Sequence, residues 1–558
     1  MRWIGFRARD YRGYVLICAV GIPFHADGGM NWLGRRIVVA VLIAGTLGLL
    51  WFPLEVRVLW PSGVALVLVF LTRKVMLSLL LGGFVGSLLL VGGNPLRAFL
   101  DLVELHLLPH FSSSWKVGAV IFTLLMGGLV ALLERSGGMT ALFQRWLQRP
   151  GRRRVETVAC AGGLICFFDG LANALMIGRL MQPFARQAKL SAARLAYVVD
   201  TTSSAVACLA FVSTWIAYQL AMIHEGYVLA GREAESQPYL TFFQSIPYNY
   251  YCWFALALLA IVVFRQIQWG PMRTYTRPPA VAKQKLEPFE PVDSSPWRAL
   301  GAIVVLLVGI PVGIYFDGVR RADLEAWPVS AETVSMAFGA AHTPLILIAA
   351  SVLASLVALV SLPASRRQGS SSAYLEGLEQ LFRPVLILIS AWVLSSTLNE
   401  LEAGAFLAQL VGDHLAADFL PLVVFLAGAL IAFSTGTSWG TMGLLMPLSV
   451  AMCLNLPETP AYLIPAVVGA VFSGAVFGDH CSPISDTTIV SSIACGIDPF
   501  DHVRTQLPYA LFAAGWSIVV GFLLLTIFPV KPLVLPIGLL AMGGLLLWRS
   551  RGADRTTV

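Results

Sequence analysis

GAVFGDHCSPISDTT, residues 474–488, interrupts an apolar run that begins near Ala461 and resumes with IVSSIA to Ala494. Two carboxylates (Asp479 and Asp486), His480, Pro483 and the hydroxyls of Ser482, Ser485, Thr487 and Thr488 stand where a membrane helix would otherwise be uniformly apolar. A charge at that depth costs a few kcal/mol or more, so an ionisable group there marks a functional site. Pro483, with Gly474 and Gly478, is expected to break the helix at this point. A break leaves carbonyls and amides without intrahelical partners, and those are ion ligands.

Outward from this stretch, the composition sets the class. The 558 residues are 57% hydrophobic and 12% charged, with a mean hydropathy of +0.77, whereas soluble domains carry about 25% charged residues. The chain therefore reads as an all-α polytopic membrane protein. Its net charge of +7 sits in short loops between apolar runs, which fits bilayer orientation rather than nucleic acid. The eight cysteines lie mostly inside apolar segments without a CxxC pair and read as small apolar residues, Cys481 alone being next to the polar break. No cleavable signal is evident. Residues 1–29 differ in character from the rest of the chain, and Met30 is a second candidate for the start.

Apolar runs of spanning length fall near 33–52, 53–72, 75–92, 117–134, 195–223, 242–264, 299–316, 343–362, 385–401, 461–494, 507–528 and 533–548. Two further stretches, 155–183 and 419–452, are interrupted by FFDGLAN and STGTSWGT. Loop charges orient them. Arginines 135, 145, 149, 152, 153 and 154 precede the first stretch without an acid, and Arg179, Arg186, Lys189 and Arg194 lie toward and beyond its end. Both flanks are therefore expected on the cytoplasmic side, which makes 155–183 a re-entrant hairpin. No Lys or Arg occurs between Arg383 and Arg504, while Glu400, Glu402, Asp413, Asp418 and Glu458 do, so 419–452 is expected to enter from the opposite face. The expectation is about twelve transmembrane helices plus two hairpins, with both termini cytoplasmic in the inner membrane. The divisions are an N-terminal segment 1–32, a peripheral helix 33–52, a first repeat 53–264, a cytoplasmic linker 265–298, a second repeat 299–528, a helix 533–548 and a tail 549–558.

The halves resemble each other. ALLERSGGMTALFQ (131–144) matches TLNELEAGAFLAQ (397–409), GLANALMIGRLMQP (170–183) matches GTSWGTMGLLMP (436–447), and DTTSSAV (200–206) matches DHCSPIS (479–485). The order is span, hairpin, broken span in each, with loop charges inverted between them. Two inverted repeats with broken helices belong to secondary transporters. GDHCSPISDTT, the earlier DTTSSAVACLAFVSTW and the two hydroxyl-rich hairpins together resemble the NhaC-type sodium/proton antiporters of the ion-transporter superfamily, roughly over 115–530. That resemblance implies a midmembrane site between two inverted repeats and exchange of sodium against protons. Proteins similar to this family also exchange organic anions and amines, and Arg179, where the second hairpin has Leu445, is a departure that bears on the choice.

Sodium takes about five or six oxygen ligands. The broken span offers Asp479, Ser482, Ser485, Asp486 and Thr487, and the facing hairpin tip offers Ser434, Thr435, Thr437 and Ser438. The pseudo-symmetric site offers Asp200, Thr201, Thr202, Ser203 and Ser204, with Asp169 and Asn173 on its hairpin. Desolvation favours the neutral form of a carboxylate, so a proton and a sodium ion can alternate on one aspartate: Asp479 or Asp486 first, Asp200 third. Bland roles compete. Asp486 could cap the half-helix after it, Asp200 could cap a helix beginning at Ser203, and Asp169 could be a turn residue. His480 reads as a hydrogen-bonded structural histidine or a pH sensor. Arg179 reads as a loop anchor, and Glu134 and Glu400 as interfacial. The lack of Lys or Arg in 384–503 favours a cation over an organic anion such as lactate or malate. Gly478-Asp479 also raises an intramembrane aspartyl protease, but the residues around both aspartates have the wrong pattern for one. The expected partners are the bilayer, a small inorganic cation and, as an open alternative, a second copy in a homodimer. No nucleic acid and no cofactor are expected, Na+ and H+ being cargo.

Overall fold

The computed structural model describes residues 32–53, 57–72, 74–147, 151–167, 169–210, 213–279, 295–327, 329–403, 406, 416–483 and 485–554. The N-terminal segment to residue 31, the middle of the expected linker at 280–294 and the last four residues lie outside the described residues. Among the described residues every regular element is helical.

Seven helices are long and apolar enough to cross a membrane, or up to ten if each of three bent pairs counts as one span. The expected runs at 33–52, 53–72 and 533–548 correspond to shorter apolar helices. The first helices are α1 (Trp32–Leu49), α2 (Trp60–Thr72) and α3 (Val75–Leu90), followed by α4 (Pro95–Glu104), which turns 115° away from α3. The first half continues with α5 (Ser114–Ser136), α6 (Gly138–Trp146), α7 (Arg152–Ile165), α8 (Gly170–Gln187), α9 (Ala192–Leu209), α10 (Thr214–Leu229), α11 (Pro238–Ser245) and α12 (Tyr250–Arg265). Next come α13 (Trp297–Arg321), α14 (Ala331–Ala340), α15 (Thr343–Val360), α16 (Ser370–Gln380) and α17 (Phe382–Glu400). The second half then has α18 (Leu420–Thr435), α19 (Ser438–Leu454), α20 (Leu463–Cys481), α21 (Asp486–Cys495), α22 (Pro499–Trp516) and α23 (Val534–Asp554).

Both interrupted stretches are helical hairpins. At the second tip, Gly436 takes a left-handed φ of 67° and returns its N–H to Ala432 O. Thr437 then accepts from Gly440 N and opens α19. A glycine C-cap followed at once by a threonine N-cap reverses the chain in two residues. At the first tip, Asp169 is the N-cap of α8, its carboxylate accepting from Ala172 N.

The breaks in the long runs fall where the local chemistry changes. The run 461–494 is divided into α20 and α21 by Ser482–Ser485, with Ser482 and Ser485 extended and Pro483 between them. Ser485, not Asp486, occupies the N-cap position of α21, so the capping role considered for Asp486 falls to its neighbour. The run 195–223 bends by 48° between α9 and α10, where Ala210 is extended and Ser213 caps α10 by accepting from Ile216 N. The break therefore lies about ten residues beyond Asp200, which sits inside an unbroken helix rather than capping one. The run 242–264 also bends, by 49°, at the turn containing Pro247.

The glycines of the opening stretch have a different role from the expected one. A Cβ on Gly474 would lie 2.5 Å from Phe425 O, and one on Gly478 would lie 2.5 Å from Phe433 N. They let α18 and α20 meet backbone to backbone, as small residues do in membranes, and Pro483 with its serines makes the break. Each hairpin packs on the first limb of its own broken helix, α7 and α8 on α9, α18 and α19 on α20. Each return limb then reaches across the molecule: α8 packs on α21, and α19 on α10. Close contacts of Gly178 with Ala494 and of Gly226 with Val450 seat these two crossings.

Gly478→Leu is expected to destabilise the protein by about 1–3 kcal/mol or more through overpacking. Gly515→Leu, where a Cβ meets nothing within 4 Å, is the control. Thermal unfolding in detergent checks this: equal midpoints for the two variants would sink the close packing of α18 on α20.

Candidate functional site

The last turn of α20 carries Asp479, which is 1% exposed. From across the break, Ser485 donates its hydroxyl to Asp479 Oδ1, and Thr487 donates to Oδ2 at 2.8 Å. The two hydroxyl oxygens are 3.0 Å apart, and Thr488 donates to the backbone carbonyl of Asp479 at 3.1 Å. Ser482 Oγ is buried with no hydrogen-bond partner among the described residues. A carboxylate in the last turn of a helix faces the negative end of the helix dipole, which disfavours bare charge and favours a bound cation or a proton. The hydroxyls converging from α21 can either donate to the carboxylate or turn their oxygens to a cation.

The structure therefore brings Asp479, Ser485 and Thr487 together. Asp486 is the first residue of α21, and its side chain lies outside the described residues. The second hairpin tip lies alongside, since Gly478 touches the Ala429–Phe433 backbone. Ser434 is half-buried in the last turn of α18, Thr435 is buried and donates to Ile431 O in its own helix, and Ser438 is buried in the first turn of α19.

A second polar centre adjoins the first. Asp200 is fully buried, and its Oδ2 accepts from Gln506 Nε2 at 2.7 Å and lies 3.2 Å from His502 Nε2. Gln506 Nε2 also donates to His480 O at 2.7 Å. His480 in turn lies 2.8 Å from the Tyr251 hydroxyl through Nδ1 and 3.2 Å from the Thr201 hydroxyl through Nε2. His480 is thus a hydrogen-bonded bridge between the halves, one residue from Asp479. Asp200 Oδ1 has no hydrogen-bond partner among the described residues. Ser203 donates to the backbone oxygen of Asp200 rather than to its carboxylate. His502 and Gln506 escaped the reading of the sequence, although a polar pair four residues apart in an apolar helix was a visible signal. Tyr251 gave no such signal.

Asp169 and Asn173 serve the first hairpin. Besides capping α8, Asp169 accepts from the Thr214 hydroxyl at 2.8 Å, which ties the tip to the α9–α10 break. Asn173 donates to Gly163 O across the hairpin at 2.9 Å. Arg179 lies in the middle of α8 with its side chain exposed, not in a loop as expected.

The Na+/H+ antiporter family matches residues 206–527. An uncharacterized protein of Haemophilus influenzae is 31% identical over 482 residues, spanning 83% of this chain and 90% of that one. The malate-2H+/Na+-lactate antiporter of Bacillus subtilis is 35% identical over 161 residues, 27% of this chain and 32% of its own length. Among solved structures, the YdaH transporter of Alcanivorax borkumensis has the same fold at a TM-score of 0.52 and 17% identity, covering 78% of this chain and 90% of that one.

Gln506→Leu removes the donor shared by Asp200 and His480 and leaves two buried acceptors short. A loss of about 1–3 kcal/mol of stability is expected, and a lower thermal midpoint in detergent would register it. An unchanged midpoint would mean that the bridge carries no weight.

Proposed function

The chain belongs to the Na+/H+ antiporter family, and on that premise we propose that it exchanges Na+ for H+ across the cytoplasmic membrane by alternating access, the two ions competing for Asp479. Family membership makes it a secondary antiporter rather than an enzyme, which disposes of the protease alternative. The observation that carries the ion assignment is the burial of Asp479 in the last turn of α20, with Ser485 and Thr487 directed onto it from across the break.

Sodium would be held by the Asp479 carboxylate, the hydroxyls of Ser482, Ser485 and Thr487, and carbonyls freed at the break. Asp486 is the second carboxylate of the assignment. With sodium gone, the desolvated carboxylate takes a proton, and the hydroxyls turn back to it as donors. Ion and proton therefore leave by turns, without covalent chemistry. The sequence offers no Lys or Arg from 384 to 503 to compete for the carboxylate. The reciprocal packing of α8 on α21 and α19 on α10 suits an alternation in which the two halves exchange roles.

A second reading, proton- or sodium-coupled exchange of organic anions, is favoured by Arg179, an exposed cation in the middle of a hairpin limb. Such an arginine is suited to a carboxylate substrate.

In proteoliposomes, Asp479→Asn and Asp486→Asn are expected to fold but to lose Na+-driven pH change, and Ser485→Ala to raise the half-saturating Na+ concentration roughly fivefold, about 1 kcal/mol for one hydroxyl ligand. Wild-type exchange in Asp479→Asn would overturn the assignment. Lactate or malate exchange abolished by Arg179→Gln, without any Na+-driven pH change, would establish the second reading instead.

A further inference from the structure

Away from this site, a second buried charge cluster joins α5 to α10. We propose that Lys116 and Glu225 form a proton-sensitive interlock on the side expected to face outward, released when a proton from that side reaches Glu225 or His110. The geometry stands by itself; its consequence for transport rests on the antiporter reading.

Lys116 Nζ lies 2.7 Å from Glu225 Oε2, with the side chains 7% and 2% exposed. It lies 2.9 Å from His110 Nδ1 and 5.5 Å from the centre of the Trp392 ring. The ammonium thus faces a carboxylate, an imidazole and an aromatic face. α5 packs along α15 and α16, whereas α10 packs along α19, the return limb of the second hairpin. The pair therefore links peripheral helices to the hairpin-bearing centre. Sliding one past the other would separate two buried charges, and an uncompensated buried charge is strongly unfavourable.

Protonation acts in one direction at both groups. A proton on Glu225 removes the partner of Lys116. A proton on His110 Nδ1 replaces an acceptor with a donor on a cation, which repels the ammonium. Acid on that side therefore loosens the contact, and alkali closes it. A route is visible from the surface: Glu233, 66% exposed, lies 3.6 Å from His224 Nε2, and His224 is the neighbour of Glu225 in α10. His224 also lies 2.9 Å from the Ser236 hydroxyl through Nδ1 and packs on Trp115. The other titratable groups nearby are few. His106 is bonded to Ser396, Arg232 pairs with Glu235, α17 ends in Glu400, and α9, α11 and α19 bring Cys208, Tyr239 and Cys453. α15 has no titratable side chain.

The test uses the full-length protein, comparing wild type with Lys116→Met/Glu225→Leu, an apolar replacement of the pair, and with His110→Asn, which cannot be protonated. Hydrogen–deuterium exchange over residues 106–118 and 220–230 needs no substrate. After correction for intrinsic rates, wild type is expected to exchange roughly tenfold faster near pH 5.5 than near pH 8. The double variant should be equally fast at both, and His110→Asn should need more acid. In proteoliposomes, the double variant should lose the dependence of exchange on outer pH. The same pH response in wild type and all variants, or none in wild type, overturns the interlock; should the double variant not fold, His110→Asn decides alone. The expected deuterium pattern without Na+-driven pH change would leave the interlock standing and remove the ion assignment instead.

Discussion

A carboxylate at the C-terminal end of a helix, out of water, is the constraint around which this molecule is arranged. Asp479 cannot rest there as a bare charge: the carbonyls of its own helix face it, and burial withdraws hydration. The hydroxyls of Ser485 and Thr487 satisfy the oxygens. They can do so only because the chain breaks after Cys481 and starts again at Asp486. A continuous helix would point residues 485–488 away from position 479. The break is thus what converts a polar stretch into a site.

That break has to be enclosed, and close helix packing encloses it. Glycines 474 and 478 let α18 press on α20 without a side chain between them, bringing the second hairpin tip beside the site. The return limbs cross to the opposite half, α8 onto α21 and α19 onto α10. Each broken helix is therefore held by both hairpins. A displacement of one half is felt at the break in the other, which is what an exchange between two access states requires.

The polar network about Asp200 lies on the same boundary. Gln506 holds Asp200 and the backbone of His480 at once, so α9, α20 and α22 meet at one amide. The Lys116–Glu225 pair joins another boundary, between the peripheral helices and α10. In both places polar groups occupy contacts between elements that transport would displace. An apolar contact can slide with little change in energy, but a buried polar one cannot part without an unsatisfied group.

Residue type and periodicity alone determined that the chain spans a membrane, that two stretches are hairpins, and that the run at 461–494 is broken at Pro483. These are local consequences of hydropathy, proline and capping chemistry, and a few neighbouring residues decide each of them. The place of the break after Asp200 was not legible, because Ala210 and Ser213 are ordinary residues whose extended geometry depends on what packs around them. Nor was the role of Gly474 and Gly478, since a glycine that loosens a helix and one that admits a neighbour look alike in sequence. His502, Gln506 and Tyr251 join Asp200 and His480 only when helices distant in the chain come together, as Glu225 joins Lys116. A hydrogen bond depends on distances of a few tenths of an ångström, and across such separations only tertiary packing fixes them.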